Sequence, residues 1–380
     1  MEVAADSDAG VAEREAKRAR QAAELMPRSV AVDRALGWLS AVYLGLCCVV
    51  LAPALSLLIP LMLLRLRKRE LANASTGEGG SLTAIKALCA RAVAAACGFG
   101  PDALAVPMIQ RCSLTGPGVG GWLFTQFYWR SIVLGFRLTR RVYVDQLVAP
   151  FLQRMPFGEV TYMHARTCWL DDVVTGFAGA LEGELGQLVI LGAGYDTRGR
   201  RLTLPESVRC FEVDAPGTQA AKRALLEALG QGEGDVTYVS CDFATQRWID
   251  VLHREGFDFG VPTLFVWEGV TMYLTPALVA ETLRVVRQCA PGSRIAFDYL
   301  LHRWAFDPAL QAKATRAREP WQFGLREGEQ EPFVQQQGLA VLEHLRRDEL
   351  LRRYLPRRAD GESMGVLADF GGFVLAGRPG

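Results

Sequence analysis

Short runs of apolar residues recur through the second half of the chain, separated by longer mixed segments. The first run, Leu188–Leu191, is uninterrupted and is followed directly by Gly192 and Gly194. A continuous run of branched apolar residues is typical of a parallel strand that is covered on both faces. The glycines let the backbone turn sharply and approach a ligand closely. The pattern therefore predicts a buried strand that ends in a tight, ligand-binding turn.

Four similar runs follow in order, and each precedes an acidic residue. They are Val208–Val213 before Asp214, Thr237–Val239 before Asp242, Thr263–Val266 before Trp267 and Glu268, and Ser293–Phe297 before Asp298. The distance from Gly194 to Asp214 suits one strand–helix–strand crossover, in which such an acid binds both hydroxyls of a ribose. The succession predicts an α/β fold with a doubly wound, mostly parallel sheet and acids along its carboxyl edge.

The glycine turn also bears on which cofactor is expected. A nicotinamide dinucleotide fingerprint requires a third glycine where Thr197 stands, so S-adenosylmethionine is the better candidate. An NAD-dependent oxidoreductase stays open as a less favoured alternative. A Gly-x-Gly after an apolar run is also common in ordinary connections, and the acids that follow favour the ligand-binding interpretation.

Four ordered motifs resemble the leucine carboxyl methyltransferase family of S-adenosylmethionine-dependent methyltransferases. They are Ala165-Arg-Thr-Cys-Trp-Leu-Asp-Asp172, Leu191-Gly-Ala-Gly-Tyr-Asp-Thr-Arg198, Phe211-Glu-Val-Asp-Ala-Pro216 with Thr218, Gln219 and Lys222, and Trp267-Glu-Gly-Val-Thr-Met-Tyr-Leu274. The resemblance extends from about Arg141 to the C-terminus. It implies a seven-stranded, Rossmann-like methyltransferase sheet, which strands near Leu339–His344 and Gly372–Ala376 would complete with an antiparallel edge.

The resemblance implies a role toward S-adenosylmethionine for several residues. Arg166 is expected to form a two-pronged ion pair with the methionyl carboxylate. Asp214 is expected to hold the ribose hydroxyls, and Asp242 to accept from the adenine amine beside the ring of Phe243. The predicted cofactor-binding residues are Arg166, Gly192, Gly194, Asp214, Asp242, Phe243 and Glu268.

Plainer interpretations of these positions stay open. Arg166 is also consistent with a surface arginine on a helix, and Asp242 with a helix cap. Glu268 and Tyr273 are the candidates for the acceptor side of the site. Glu212 lies deeper under the sheet edge and is a weaker candidate. Other polar residues of the motifs are predicted to be structural: Asp196, Arg198, Gln219 and Lys222.

The expected function is methyl transfer to oxygen, on a carboxylate or hydroxyl of a small or lipophilic acceptor. A carboxylate is already ionised near neutral pH, so proximity and alignment supply most of the rate and no catalytic dyad is required. An alcohol or amine would need a base, for which Glu268, Tyr273 and Asp298 are the nearby groups. A non-catalytic member of the family that only binds the cofactor would show the same pattern.

Charge and cysteine usage exclude other classes. The net charge is +1, so there is no overall field to attract nucleic acid. The 9 cysteines form no Cys-x-x-Cys pair and the 4 histidines lie far apart, which predicts neither a disulfide framework nor a metal site. Scattered thiols with apolar neighbours are typical of a reducing compartment.

Ala35–Leu64 contains no charged residue and, as a helix, would be about 45 Å long, enough to cross a bilayer. Trp38 and Tyr43 suit an interfacial position, and basic residues follow the run at Arg65, Arg67, Lys68 and Arg69. We expect a membrane anchor, with the catalytic domain on the cytosolic side. Pro53 and Pro60 leave a hairpin or monotopic anchor open, and a buried soluble helix is the alternative.

The chain is thus expected to contain four segments. They are a polar tail at 1–34, a membrane anchor at 35–69, a helical linker or cap at 70–140, and the methyltransferase domain at 141–380. Ser75–Ser81 has the composition of a flexible linker, and Leu82–Cys97 that of a helix. The aromatic stretch Trp122–Phe136 fits a cap, an interfacial helix or plain core.

Overall fold

The computed structural model describes residues 82–114, 119–142, 158–232, 234–243, 245–316 and 319–378, together with 13, 16–18, 20, 21, 23–43, 45, 46 and 49. These residues form two compact units. The first contains residues 170–347 and those from 369 onward, and the second contains the described residues up to 169 together with 348–368. The segment boundaries expected at 34, 69 and 140 stay predictions.

A seven-stranded sheet forms the centre of the first unit. Its strands are β1 Gly186–Leu191, β2 Val208–Asp214, β3 Val236–Ser240, β4 Thr263–Trp267, β5 Arg294–Leu300, β6 Ala340–Leu345 and β7 Gly371–Gly377. They lie in the order β3-β2-β1-β4-β5-β7-β6, and β7 is antiparallel to both neighbours. The predicted doubly wound, Rossmann-like sheet is confirmed. Because the strand order reverses between β1 and β4, the carboxyl ends of these two strands are the expected ligand-binding position of such a sheet.

Burial explains why these strands form. Every residue of β1 and β4 is buried, as expected for central parallel strands covered on both faces. The covering helices include Pro216–Ala228, Trp248–Arg254 and Pro276–Gln288. In Pro276–Gln288 the buried residues recur at helical spacing, so one face packs on the sheet and the opposite face is solvated.

The predicted end of the fifth strand is wrong. The fifth run was expected to end before Asp298, but β5 continues to Leu300, and Asp298 lies within the strand opposite Phe373 of β7. Pairing with the late strand β7 extends β5, and no local signal near residue 298 announces a partner some 70 residues away. Asp298 is consequently buried inside the sheet.

The second unit is helical in its described part. It contains the helices Leu82–Ala96 and Ala105–Ile109, the aromatic helix Val119–Thr139, and an N-terminal helix at residues 30–43. The helix predicted from Leu82 is confirmed. The helix Glu159–Ala180 begins in this unit and ends in the first.

Among the described residues, no helix combines the length and apolarity required to cross a bilayer. The predicted anchor at 35–69 is described only at 35–43, 45, 46 and 49, and the rest of it lies outside the described residues. The predicted linker at Ser75–Ser81 also lies outside them.

The cysteines of the described part are buried in both units. They are Cys89, Cys97, Cys112, Cys168, Cys210, Cys241 and Cys289. Burial raises the pKa of the Cys97 thiol and that of the Cys289 thiol to about 12. These side chains are therefore small, neutral core residues.

Candidate functional site

The glycine turn after β1 is held against the end of β2 by backbone hydrogen bonds. Gly192 and Gly194 have φ of 65° and 50°, a left-handed conformation that favours glycine. The backbone N–H groups of Gly192 and Ala193 both donate to the carbonyl of Val213, at 2.8 and 3.2 Å. The predicted tight turn is present, and it is fixed to the neighbouring strand.

A side chain at position 192 would overlap with the loop after β4. An ideal Cβ there would lie 2.6 Å from Cγ2 of Val270. We expect Gly192→Ala to lower the free energy of unfolding by about 2 kcal/mol, from left-handed backbone strain and steric overlap together, and to weaken cofactor binding. Urea denaturation and calorimetric titration with S-adenosylmethionine measure the two effects.

Gly292 provides a matched control, because its φ is 84° and a Cβ there would meet no atom within 4 Å. Gly292→Ala should therefore cost only the backbone strain, about 1 kcal/mol, and leave cofactor affinity unchanged. Equal effects of the two substitutions would show that the contact with Val270 does not matter.

Asp214, the last residue of β2, closes the glycine turn with its side chain. One carboxylate oxygen accepts a short hydrogen bond from the backbone N–H of Gly194, and the other accepts from that of Ala215 at 2.6 Å. Burial raises the pKa of Asp214, and the two backbone donors oppose that shift. The main chain of Asp214 also accepts from the N–H of Cys241 at 2.9 Å, which joins the ends of β2 and β3.

Asp242 and Phe243 follow β3 and are both exposed. The Asp242 carboxylate accepts from the hydroxyl of Thr245 at 2.8 Å, and the Asp242 carbonyl accepts from the backbone N–H of Gln246. The Asp242 side chain therefore closes a local turn and does not cap a helix, because the next described helix begins at Trp248 and its N-cap residue is Arg247. The exposed ring of Phe243 beside it offers a flat apolar surface.

Arg198 lies at the centre of a buried ion-pair network, which we call the arginine hub: Asp171, Asp196, Arg198, Arg201 and Glu268. The Arg198 guanidinium, 1% exposed, binds one oxygen each of Asp171 at 2.9 Å, Asp196 at 2.5 Å and Glu268 at 2.5 Å. Arg201 binds both oxygens of Asp171, at 2.6 and 2.7 Å. These carboxylates raise the pKa of Arg198 despite its burial.

The arginine hub connects three separate parts of the first unit. Asp171 belongs to the helix Glu159–Ala180, and Asp196 belongs to the glycine turn. Glu268 is the residue directly after β4. Three carboxylates and two guanidinium groups leave one negative charge in excess. Asp196 and Arg198 thus have the structural role predicted for them, and Glu268 is held by Arg198 at the carboxyl edge.

Asp298 fixes the loop after β4 from the opposite side. Its carboxylate accepts from the backbone N–H of Gly269 at 2.6 Å, and its carbonyl accepts from the hydroxyl of Thr271 at 2.6 Å. Tyr273 lies in the short 3-10 helix that follows and is half-buried. Its carbonyl accepts from the side-chain amide of Gln322 at 2.8 Å, so the segment between β5 and β6 packs on this loop.

The aromatic residues of that segment take different positions. Phe323 is buried in the core against Phe333, with ring centroids 5.4 Å apart. Trp304 stacks on Phe370 and donates its indole N–H to the carbonyl of Asp369 at 2.7 Å. Both side chains therefore have structural roles.

Glu212 and Lys222 form a buried pair beneath the sheet edge. Their charged atoms lie 2.5 Å apart, and both side chains are 1% exposed. Burial raises the pKa of Glu212, and Lys222 opposes that shift. The side-chain amide of Gln219 donates to the Glu212 carbonyl at 3.2 Å. The structural roles predicted for Gln219 and Lys222 agree with these contacts.

Arg166 belongs to the second unit. Its guanidinium lies 5.6 Å from the ring centroid of Tyr162 and donates to the sulfur of Met163 at 3.1 Å. The residue is buried rather than on the surface, which argues against the surface-arginine interpretation. Its role toward the cofactor stays a prediction.

The predicted residues of the first unit meet at one edge. Hydrogen bonds link the glycine turn to Asp214 and Asp214 to the chain before Asp242, while the arginine hub joins the turn to Glu268. Sequence reasoning missed Asp171 and Arg201, although Asp171 lies in the motif Ala165–Asp172, which also contains Arg166. Its position in that motif could have marked Asp171 as a site residue. Arg201 lies outside the four motifs, so the sequence did not indicate its role.

Comparisons with known proteins agree with this geometry. A family model described as leucine carboxyl methyltransferase matches residues 139–287. A proposed S-adenosyl-L-methionine-dependent methyltransferase of Mycobacterium tuberculosis is 33% identical over 229 residues, which cover 60% of this chain and 68% of that protein. One from Mycolicibacterium gilvum is 37% identical over 138 residues, covering 36% of this chain and 44% of its own length.

Solved structures show a more distant likeness. A proposed methyltransferase from Thermobifida fusca is 20% identical, with a TM-score of 0.42, and the match covers 62% of this chain and 86% of that one. Magnesium protoporphyrin IX methyltransferase from Synechocystis, solved with S-adenosylhomocysteine, is 11% identical with a TM-score of 0.39, covering 68% of this chain and 98% of that one. Likeness at this level adds nothing to the strand order described above.

Proposed function

Because this chain belongs to the leucine carboxyl methyltransferase family of S-adenosylmethionine-dependent methyltransferases, we propose that it methylates an oxygen atom of a small or lipophilic acceptor, and that this oxygen belongs to a carboxylate. One observation carries the choice of a carboxylate. Glu268, directly after β4, and Asp298, within β5, are both held by donors, Glu268 by Arg198 and Asp298 by the backbone N–H of Gly269.

A carboxylate that accepts such bonds is a poor general base, since the donors stabilise its ionised form. An alcohol or amine acceptor needs a base to remove its proton, whereas a carboxylate acceptor is ionised already. Tyr273 is a weak base at neutral pH because its hydroxyl is ordinarily protonated. The acceptor that fits these groups best is therefore one whose reacting oxygen is already ionised, as in a carboxylate.

The residues at the edge fit the chemical groups of S-adenosylmethionine. The buried carboxylate of Asp214 suits a ribose diol, and the exposed pair Asp242 and Phe243 suits an adenine amine and ring. The excess negative charge of the arginine hub suits the positive charges of the cofactor. Arg166 is proposed to bind its carboxylate.

When bound, the cofactor supplies an electrophilic methyl group on a positively charged sulfur. The residues of this chain then have to bind, align and exclude water, which can account for most of the rate of an in-line transfer. Gly192 and Gly194 allow close backbone approach, and Asp214 fixes the turn. Tyr273 and the segment that packs on it are proposed to line the acceptor side.

The test combines cofactor binding with turnover. Calorimetric titration of the full chain with S-adenosylmethionine and with NAD measures which cofactor is bound. A panel of carboxylate, hydroxyl and amine acceptors, assayed with methyl-labelled cofactor, then measures transfer and S-adenosylhomocysteine release. We expect S-adenosylmethionine to bind and carboxylates to be labelled. Binding without release across the panel would favour the non-catalytic alternative, and tight NAD binding would overturn the proposal.

The pH dependence of the rate separates the two oxygen acceptors. With a carboxylate acceptor we expect the rate to change by less than about twofold from about pH 6 to 9, because a carboxyl group near pKa 4 is ionised throughout. A matched alcohol, with the carboxylate reduced, should react slowly or with a rate that rises with pH. A steep rise with the carboxylate would contradict acceptor ionisation as the source of reactivity.

A further inference from the structure

Two helices of the second unit pack side by side in antiparallel directions. The Tyr43 hydroxyl of the N-terminal helix donates to the carbonyl of Ser131 in the aromatic helix at 2.6 Å. Asp33, ten residues earlier, forms an ion pair at 3.3 Å with Arg141, which lies just beyond the end of the aromatic helix. The two contacts join the helices at two levels, ten residues apart in each segment.

The pair has an exposed side that is largely apolar. In the aromatic helix the buried positions, such as Thr125, Trp129 and Phe136, alternate at helical spacing with exposed apolar ones. Most of the large apolar side chains exposed in the described part of the chain lie in these two helical segments. We call ten of them the apolar face: Trp38, Leu39, Val42, Leu46, Val49, Val119, Leu123, Phe127, Leu134 and Leu138.

The charges beside the apolar face have one sign. Arg130 and Arg137 are exposed on the same side of the aromatic helix as Phe127 and Leu134. No aspartate or glutamate occurs in the sequence between Asp102 and Asp145, nor from residue 35 to residue 69, where the last five residues include four basic ones. Among the described residues, Arg130 and Arg137 thus place two positive charges beside the apolar face.

We propose that the apolar face, with Arg130 and Arg137, binds the surface of an anionic lipid membrane. An apolar surface with aromatic residues and a basic border is suited to the boundary between headgroups and acyl chains. Basic residues there gain energy from the negative surface potential of anionic lipids. A second copy of the chain packing face to face would bring like charges together, which disfavours that occupant.

Flotation of the purified full chain with lipid vesicles tests the proposal, and it does so without any methyl transfer. We expect the protein to float with vesicles of phosphatidylcholine containing about a third phosphatidylserine, and to float much less with phosphatidylcholine alone. Raised salt should weaken the binding because surface charge is screened. If the protein floats with neither kind of vesicle, the proposal is wrong.

The double variant Arg130→Gln/Arg137→Gln should reduce partitioning onto the anionic vesicles about fivefold for each arginine removed. Arg284→Gln, an exposed arginine of the first unit, is the matched control and should leave partitioning unchanged. Circular dichroism of the double variant verifies that it is folded. Equal partitioning of the double variant and the wild type would contradict a role for these charges.

Lipids that carry a photoreactive group in the acyl chain identify which residues touch the membrane. Trypsin cleavage after Arg111 and Arg130 releases a peptide that contains Trp122, Leu123 and Phe127. We expect lipid attached to this peptide. Attachment only to peptides from residues 35–69 would overturn the proposal for the aromatic helix. A dimer in solution that Phe127→Ser abolishes, without lipid attachment, would show a second copy as the occupant instead.

Discussion

Arg198→Met is expected to lower the free energy of unfolding by about 3–5 kcal/mol, the largest stability effect in the first unit. The substitution keeps apolar bulk but leaves Asp171, Asp196 and Glu268 without their shared cation in a buried site. Removing one partner of a buried ion pair leaves the other charge uncompensated, and here three carboxylates lose an ion-pair partner at once. Urea denaturation followed by circular dichroism measures the loss.

Two further variants make this expectation specific. Arg247→Met removes an exposed arginine that lies 3.4 Å from both Asp250 and Glu281, and should change stability by less than about 0.5 kcal/mol. Adding Glu268→Gln to Arg198→Met should restore part of the lost stability, because one stranded carboxylate becomes neutral. If the double variant is less stable than Arg198→Met alone, the stranded-charge explanation is wrong.

Asp214→Asn is expected to weaken S-adenosylmethionine binding by about 3 kcal/mol, which is roughly a hundredfold or more. The Asp214 carboxylate accepts from two backbone N–H groups, those of Gly194 and Ala215. An asparagine amide can accept only through its oxygen, so its own N–H₂ group would face one of these donors. The turn would open at the position proposed for the ribose. Calorimetric titration measures the dissociation constant.

Asp242→Asn is the matched comparison on the neighbouring strand. Its side chain is exposed and accepts from the Thr245 hydroxyl, a bond that an asparagine oxygen can also accept. An amide oxygen can likewise accept from an adenine amine, so we expect a loss of about tenfold or less. Equal losses at positions 214 and 242 would argue that Asp214 contributes only its side-chain charge.

The sheet could be predicted because its information is local. A continuous apolar run predicts β1 without any knowledge of its partner strands. Because parallel strands end at the same edge, an acid such as Asp214 at the end of a run can be assigned to that edge. The end of β5 could not be predicted in the same way. Its extension past Asp298 depends on pairing with β7, which is distant in sequence.

The site was predictable where a residue acts through its place on a strand end, as Gly192 and Asp214 do. The arginine hub was predictable only in part. Arg198 was expected to be structural, but its partner Asp171 lies on a helix that precedes the sheet, and only folding brings the two side chains within 2.9 Å of each other. Side-chain pairing across elements depends on packing, which spacing along the chain does not encode.

The seven cysteines in the described part of the chain are all buried, and their thiols can report on local opening of the structure. A thiol with a raised pKa, shielded from water, reacts with an alkylating reagent only when the structure around it opens. Cys210, Cys241 and Cys289 lie in the first unit, and the other four lie in the second. Alkylation rates resolved by peptide would therefore give the opening free energy of each unit separately, in the native chain without substitution.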